Sequence, residues 1–245
     1  MSWLDAYAPE SFVHYGASHV TALAIAAILI IGLYLFRYYF RYGLPNTILR
    51  FSILIVLVIC EVTLNIWYVS EDVYNVKDTL PLELCTLSLY LSIAMLLLRS
   101  QWLAHLVYFT GIAGALQALL TPALSYDFPH YRFIEFFAAH IAIILAALYM
   151  VWVEEYRPSW KAIGIAMLYL NVLLVVIGAI NAMLGSNYMF ISGKPETPSL
   201  LDVLGPYPWY LLSLEGIALV MFVILYLPFA FTKNPRRSRQ RLHLP

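Results

Sequence analysis

Residues 48–69 read ILRFSILIVLVICEVTLNIWYV, and this stretch decides the fold. A helix needs about 17 to 20 predominantly apolar residues to cross a membrane, and this stretch is long enough. Comparable apolar stretches occupy residues 19–37, 82–99, 102–122, 131–153, 161–184 and 208–231. The sequence therefore predicts an all-α, polytopic membrane protein with seven transmembrane helices, forming a single domain over residues 1–245.

The composition supports this class of protein. Hydrophobic residues make up 62% of the chain and charged residues 11%, with a mean hydropathy of +0.79. Soluble domains carry about 25% charged residues. A cleavable signal peptide is not expected, because residues 1–18 contain Asp5 and Glu10 in place of a basic start and an apolar core. The first span is therefore expected to enter the membrane uncleaved.

The lysines and arginines predict the orientation, because short cytoplasmic loops carry an excess of them. Lys77, Arg132 and Lys194 fall on one side of the predicted spans, and the other eleven of the 14 basic residues fall on the opposite side. This split predicts an outer N-terminus and a cytoplasmic C-terminus. The basic tail 233–245 is interpreted as a topology determinant that touches anionic lipid, not as a nucleic-acid site.

Polar side chains within the apolar stretches fall mostly toward the predicted outer face, where buried polar groups are costly and often mark a pathway or a reaction site. The set comprises Glu61, Asn65, Glu83, Cys85, Gln117, Thr121, Glu135, His140, Asn181 and Glu215. A pocket that opens outward is the resulting hypothesis. Single amides in such helices commonly join neighbouring helices, so a purely structural role stays open for Asn65, Gln117 and Asn181.

Helical spacing predicts which of these groups share a face. Glu61 and Asn65 stand four residues apart and should point the same way. Cys85, Ser88 and Ser92 form a stripe on the third span, whereas Glu83 should face another neighbour. The long outer segment 185–207 exceeds ordinary loop lengths and is a candidate lid or binding element. Trp209 and Tyr210, which follow it, could belong to the pocket or to an interfacial aromatic belt.

Cys85 and His140 form the candidate reactive pair. A thiol becomes a strong nucleophile when an imidazole takes its proton, and thiolates form thioesters readily. The alternative is that Cys85 is a small packing residue. Cys60 and Cys85 differ in predicted depth by roughly 7 Å, so both are expected to be free thiols. No metal site is predicted, since His130, Glu135 and His140 lack the i, i+4 spacing of helical zinc ligands, and no cofactor is expected.

Four runs carry a resemblance to a known family. They are Leu80–Ser88, Gly111–Pro122, Phe128–Phe133 followed by His140, and Asn187–Phe190 followed by Lys194 and Pro195. In this order they resemble the motifs of the YwaF-type integral membrane family of bacteria. That family is similar to a eukaryotic group of membrane acyltransferases that remodel ether phospholipids with a Cys nucleophile and a His. More distantly, it resembles the androgen-induced membrane hydrolases, which use Thr and His on lipid esters.

The resemblance implies lipid acyl chemistry in a bacterial plasma membrane. Cys85 would be the nucleophile and His140 the general base, passing an acyl chain from a phospholipid to a lysolipid or to water. Arg132 and Lys194 would hold a phosphate, and Gln117, Asn181 or a backbone N–H would stabilise the oxyanion. The remaining motif residues, His130 and Asn187, would shape the pocket. Membrane lipids are the implied partners.

A competing interpretation is a transporter or ligand-binding membrane protein that has no catalytic role. In it, Glu61, Glu135, Glu215 and His140 would make a proton-titrating polar site. The carboxylates outnumber what a Cys–His pair needs, which favours this interpretation. The absence of interrupted half-helices in matching positions of the sequence weighs against it.

Overall fold

The computed structural model describes residues 3–9, 11–194 and 203–231, and within these ranges the chain forms seven long helices. They are α1 (Ala17–Leu35), α2 (Gly43–Ser70), α3 (Leu84–Leu98), α4 (Gln101–Leu120), α5 (Tyr131–Trp152), α6 (Trp160–Leu184) and α7 (Trp209–Ala230). The basic tail and residues 195–202 of the long outer segment 185–207 lie outside the described residues. Helices α1, α3, α5 and α7 begin at one end of the bundle, called here the upper end, and the others begin at the lower end.

Six of these helices are long and apolar enough to cross a membrane, and the exception is α3. With 15 residues, α3 is about 22 Å long. The hydrocarbon core of a bilayer is about 30 Å thick. The prediction of an all-helical, multi-pass membrane protein is therefore confirmed, with six helices of spanning length where seven were predicted.

Polar caps at three helix starts explain where those helices begin. Ser100 Oγ accepts a hydrogen bond from the Leu103 amide, and Ser159 Oγ accepts one from the Ala162 amide, each at 3.3 Å. His130 Nδ1 accepts a hydrogen bond from the Arg132 amide at 3.1 Å. Each cap satisfies an amide that would otherwise lack a partner in the first turn. Helix α6 ends at Gly185, whose φ of 64° suits glycine.

Helix α5 is the centre of the bundle and packs against α1, α2, α3 and α4. Its alanines and isoleucines, such as Ile143 and Ala146, are almost fully buried. Helices α6 and α7 pack against each other and against α4. The upper half of α5 therefore carries its polar residues into the interior of the protein.

Helix α4 contains a wide turn. Residues Val107–Gly111 form a π-helical segment between the α-helical segments Gln101–Leu106 and Ile112–Leu120. All five residues of the segment are buried. Single π-helical turns occur frequently at functional sites, because the extra residue changes which side chains face a neighbour.

A buried polar network joins α2 and α5 at the lower end, where the sequence analysis predicted no site. Tyr149 is fully buried, and its hydroxyl donates to Glu154 Oε1 at 2.6 Å. The Asn46 amide donates to the same oxygen at 2.9 Å, and Arg99 donates to Asn46 Oδ1 at 3.4 Å. The network connects the start of α2, the end of α3 and the end of α5. Its hydrogen bonds hold these three helix ends together.

The Tyr149 hydroxyl also lies 3.1 Å from Asn46 Oδ1. Tyr149→Phe is expected to destabilise the protein by about 1–3 kcal/mol, because Glu154 and Asn46 lose a buried hydrogen-bond partner. Tyr156→Phe is the matched control, since the buried Tyr156 hydroxyl has no hydrogen-bond partner in the described residues. The control should keep or raise the thermal midpoint in detergent. Equal midpoints for the two variants would show that the network contributes no stability.

Candidate functional site

Three helices meet at Gly111, in the wide turn of α4. A Cβ atom added to Gly111 would lie 3.2 Å from Ile143 Cγ2 on α5 and 3.9 Å from Ser88 Cβ on α3. Ser88, Gly111 and Ile143 therefore lie at one level of the bundle, called here the Ser88 layer. The absent side chain at Gly111 allows the three helices to approach closely.

One helical turn closer to the upper end, the same three helices carry Cys85, Gly114 and His140. Each stands three residues from its counterpart in the Ser88 layer, and residues at that spacing lie one above the other. A Cβ atom added to Gly114 would lie 3.8 Å from Cys85 Sγ, so the thiol packs against the α4 backbone. These residues form the Cys85 layer, about 4.5 Å above the Ser88 layer.

The His140 ring is held in one tautomer. Its Nδ1 lies 2.6 Å from the Phe136 carbonyl oxygen, which can only accept, so Nδ1 carries the proton. In the neutral ring Nε2 is then the acceptor. The ring also packs against the Phe136 ring, with 4.2 Å between centroids. No hydrogen bond joins Cys85 to His140 in the described part of the chain.

The two cysteines have different surroundings. Cys60 is buried on α2, whereas Cys85 is partly exposed in the Cys85 layer. Both are free thiols, as predicted.

Glu61 and Glu135, two of the carboxylates that the sequence singled out, have local partners. Glu61 Oε1 accepts hydrogen bonds from Tyr90 OH at 2.5 Å and from the Asn65 amide at 2.9 Å, which agrees with the predicted shared face of Glu61 and Asn65. Glu135 forms a largely buried ion pair with Arg132. Glu215 lies on α7, which packs against α4 and α6. The structure therefore brings Glu61 and Glu135 to the α2, α3 and α5 side of the bundle, away from Glu215.

Arg132 is engaged inside the protein. Besides its pair with Glu135, its guanidinium lies 5.7 Å from the centroid of the Trp67 ring. His130, two residues earlier, caps α5 through Nδ1, and its Nε2 donates to the Asp5 carbonyl at 3.1 Å. Both nitrogens of His130 are thus occupied, and its surroundings are those of a structural residue that fixes the N-terminal segment on α5.

The segment after α6 folds over the upper end of α3. Its short 3₁₀ turn, Tyr188–Phe190, is called here the lid. Asn181 holds the lid on α6, because its Oδ1 accepts from the Tyr188 amide at 2.9 Å and its Nδ2 donates to the Tyr188 carbonyl at 3.0 Å. Ser186 Oγ donates to the same Oδ1. The Asn181 side chain is therefore committed to the lid.

Tyr188 connects the lid to the loop between α2 and α3. Its hydroxyl donates to the Val76 carbonyl at 2.8 Å and accepts from the Leu80 amide at 2.9 Å. Burial raises the pKa of the Tyr188 phenol above its ordinary value, so the hydroxyl stays protonated and can donate. The sequence analysis quoted this tyrosine within a motif but assigned it no role.

Glu83 connects the lid to the start of the helix that carries Cys85. Its Oε2 accepts a hydrogen bond from the Met189 amide at 3.2 Å. Met189 and Phe190 both have positive φ, 57° and 51°, which costs energy for residues other than glycine. The Tyr210 hydroxyl donates to the Phe190 carbonyl. Hydrogen bonds to Glu83, just before α3, and to Tyr210 on α7 therefore hold the lid in a strained conformation.

The other predicted residues lie around this segment or beside it. The Asn187 amide donates to the Gly193 carbonyl at 2.9 Å and stays within the loop. Lys194 Nζ lies 5.8 Å from the centroid of the buried Tyr210 ring, whereas the Trp209 side chain is exposed. The Gln117 amide donates to Thr121 Oγ1 at 2.5 Å on its own helix.

Comparisons with known proteins were made on the whole chain. The model of the TMEM164 family matches residues 14–226, which cover all seven helices except the last residues of α7. Comparisons with curated proteins and with solved structures each returned no match. Because the family match spans most of a chain whose helices are those of a multi-pass membrane protein, this chain belongs to the TMEM164 family.

Proposed function

We propose that the protein transfers acyl chains between membrane lipids, with Cys85 as the nucleophile and His140 as the general base. The Cys85 layer carries this proposal, because the Cys85 sulfur lies beside Gly114 and helical spacing puts His140 at the same level of a bundle whose helices are mostly of membrane-spanning length. A Cys–His combination is a recurring solution for acyl transfer. The resemblance to the YwaF-type family and to the ether-phospholipid acyltransferases points to the same chemistry.

In the first half-reaction, His140 Nε2 takes the proton of the Cys85 thiol, and the sulfur attacks the carbonyl carbon of a lipid ester. The tetrahedral intermediate collapses as its C–O bond to the glycerol breaks, and the leaving oxygen takes the proton from His140. In the second half-reaction, His140 takes a proton from the hydroxyl of a lysolipid or from water. That oxygen attacks the thioester, and the thiolate leaves and recovers its proton.

The tautomer of His140 supports this assignment. Since Nδ1 donates to the Phe136 carbonyl, Nε2 is the atom able to take the thiol proton. Catalytic hydrogen bonds are often long or poorly aligned in unliganded sites and tighten when substrate binds. We therefore expect the pair to close when a lipid ester enters the site.

The oxyanion needs a donor, and Ser88 is the best-placed candidate. It is 1% exposed, and its hydroxyl has no hydrogen-bond partner in the described residues. Buried hydroxyls without partners are rare, so this one requires an explanation. Ser88 lies one turn below Cys85, and donation to the oxyanion would satisfy its hydroxyl. The amides of Asn181 and Gln117, the earlier candidates, already donate hydrogen bonds to the lid and to Thr121.

Ser88→Ala is expected to reduce the rate of acyl transfer by about 10²–10³-fold, the usual loss when one oxyanion donor is removed. Ser92→Ala is the matched control, because Ser92 is equally buried and its hydroxyl already donates to the Ser88 carbonyl at 2.7 Å. The measurement is the single-turnover rate of protein acylation. Equal rates for the two variants would remove Ser88 from the mechanism.

The proposal is tested with the purified full chain in phospholipid vesicles. The vesicles carry a diacyl phospholipid with one labelled acyl chain and an unlabelled lysophospholipid. We expect labelled product on the lysolipid and a hydroxylamine-sensitive acyl group on Cys85, detected by mass spectrometry of digested protein. If neither the product nor the acyl-protein exceeds the level in protein-free vesicles, the proposal fails.

A second candidate function, a proton-titrating transport or binding site, draws on Glu61 and Glu135. Tyr90 and Asn65 donate to Glu61, and Arg132 pairs with Glu135. These partners account for the cost of placing both carboxylates in a membrane helix without a transported ligand. Proton uptake by vesicles without acyl transfer would favour this second candidate.

A further inference from the structure

A groove lies on the other side of α5, between α1 and α2. Its volume is about 910 Å³, and its walls are apolar along almost their whole length. On α5 the groove is lined by Ile134, Ala138, Ile141 and Leu145, at helical spacing. His140 is 100° or more from the mean direction of these residues around the helix, given about 100° per residue. None of Cys85, Gly114 and His140 lines the groove, although Phe133 and Phe137, which do, share a helix face with His140.

The groove follows the helix axes. Along α1 its lining runs from Ala17 to Leu29, a distance of about 18 Å at 1.5 Å per residue. Ile25, Leu29 and Ile134 on its walls remain about half exposed, so the groove opens sideways. All three helices that form it are long and apolar enough to cross a membrane. The opening therefore faces lipid.

We propose that this groove binds one acyl chain of a membrane lipid as a site separate from the reaction centre. Protein interiors are densely packed, and an empty space of this size would forfeit many contacts. Water is a poor occupant, because a bound water needs two to four polar partners. An extended hydrocarbon chain matches the length, direction and polarity of the groove.

The volume of the groove falls within the range of about 300–1,000 Å³ typical of small-molecule sites. A transmembrane helix of a second copy is the competing occupant, and the labelling experiment below distinguishes the two.

The upper end of the groove contains a polar group that fits the ester end of such a chain. Ala17 is the uppermost groove residue on α1, and Ser18 follows it in the groove wall. The Ser18 hydroxyl has no hydrogen-bond partner in the described residues. An ester or carboxyl oxygen at this end of the groove would give the hydroxyl an acceptor. The bound chain is thus expected to point its polar end toward the N-terminus of α1.

The test uses full-length protein in nanodiscs that contain a phospholipid with a photoreactive diazirine halfway along one acyl chain. A parallel sample contains a photoreactive fatty acid, which distinguishes an ester lipid from a free acid. After illumination, labelled peptides are located by mass spectrometry. We expect labelling concentrated on the groove residues of α1 and α5, and unchanged in Cys85→Ala, so that the outcome is independent of the acyl-transfer proposal.

Ala138→Trp fills the groove and should reduce this labelling at least fivefold. Ala179→Trp is the matched control, because Ala179 is an exposed alanine on α6, outside the groove. Thr21→Trp offers a second test from an exposed position on the groove wall, in case Ala138→Trp does not fold. Labelling spread evenly over α6, or unaffected by both groove variants, overturns the proposal. Crosslinks between two copies through α1 would overturn it in favour of a dimer interface.

Discussion

Cys85→Ala is expected to abolish the acyl-protein and to reduce acyl transfer at least about a thousand-fold, because the sulfur is the atom that carries the acyl group. Cys60→Ala should leave both unchanged. The chain has two cysteines, so the control variant retains Cys85 as its one thiol. Both positions lie in apolar helices, and the comparison isolates the position of the thiol from the loss of a sulfur atom.

The measurement for this pair is the initial rate of label transfer in vesicles, together with the fraction of protein that carries a hydroxylamine-sensitive acyl group. Matching thermal midpoints ensure that a difference in rate does not arise from unfolding. Transfer by Cys85→Ala at more than a tenth of the rate of the unchanged protein would rule out the thioester. The acyl group would then have to pass directly to the acceptor.

His140→Gln is expected to slow both half-reactions by about 10²–10⁴-fold, the usual contribution of a general base. Glutamine can still donate to the Phe136 carbonyl, so the variant removes the base while conserving the local hydrogen bond. His14→Gln is the control, because His14 is exposed on the segment before α1. We expect it to react at the rate of the unchanged protein.

Thiol reactivity separates a base from a merely structural histidine. A lipid-like electrophile should alkylate Cys85 more slowly in His140→Gln than in His14→Gln, and the difference should appear without any lysolipid acceptor. If His140→Gln slows acyl transfer but alkylates at the same rate, His140 acts on the acceptor step or on folding and does not activate the thiol.

The helix boundaries were predictable because long apolar stretches and their flanking residues define them locally. The predicted span 131–153 and the observed helix Tyr131–Trp152 nearly coincide. The prediction placed the start of α2 too late, since the helix begins at Gly43 and contains Pro45 in its first turn. Proline is tolerated there because the amide it lacks has no helical partner in a first turn.

Part of the candidate site could be predicted from the sequence, because a polar residue in an apolar helix is conspicuous. Sequence alone could not separate those tied to a neighbour from those available for chemistry. Asn181 is occupied by the lid, seven residues further along the chain, and His130 is occupied by Asp5, 125 residues away. Tyr149 went unnoticed because tyrosine is common near membrane surfaces, and its partner Asn46 is more than a hundred residues away.

The shared level of Cys85 and His140 was beyond prediction for a different reason. It depends on which helices are neighbours, and spacing along one helix carries no information about this. Gly111 and Gly114 are small residues of the kind that allow close helix packing, but the sequence does not say which helices they bring together.

The wide turn of α4 sets the register of its upper half relative to its lower half. A wide turn takes up about one residue more than an α-helical turn, and an α-helix turns about 100° per residue, so winding Val107–Gly111 as ordinary α-helix would rotate the whole of Ile112–Leu120 by about that angle. Gly114 would then leave Cys85, and the larger Ala113 would take its place. The winding of this one turn thus determines whether the thiol has space beside it. A variant that straightens the turn would retain every polar residue and still lose the space in which those residues work.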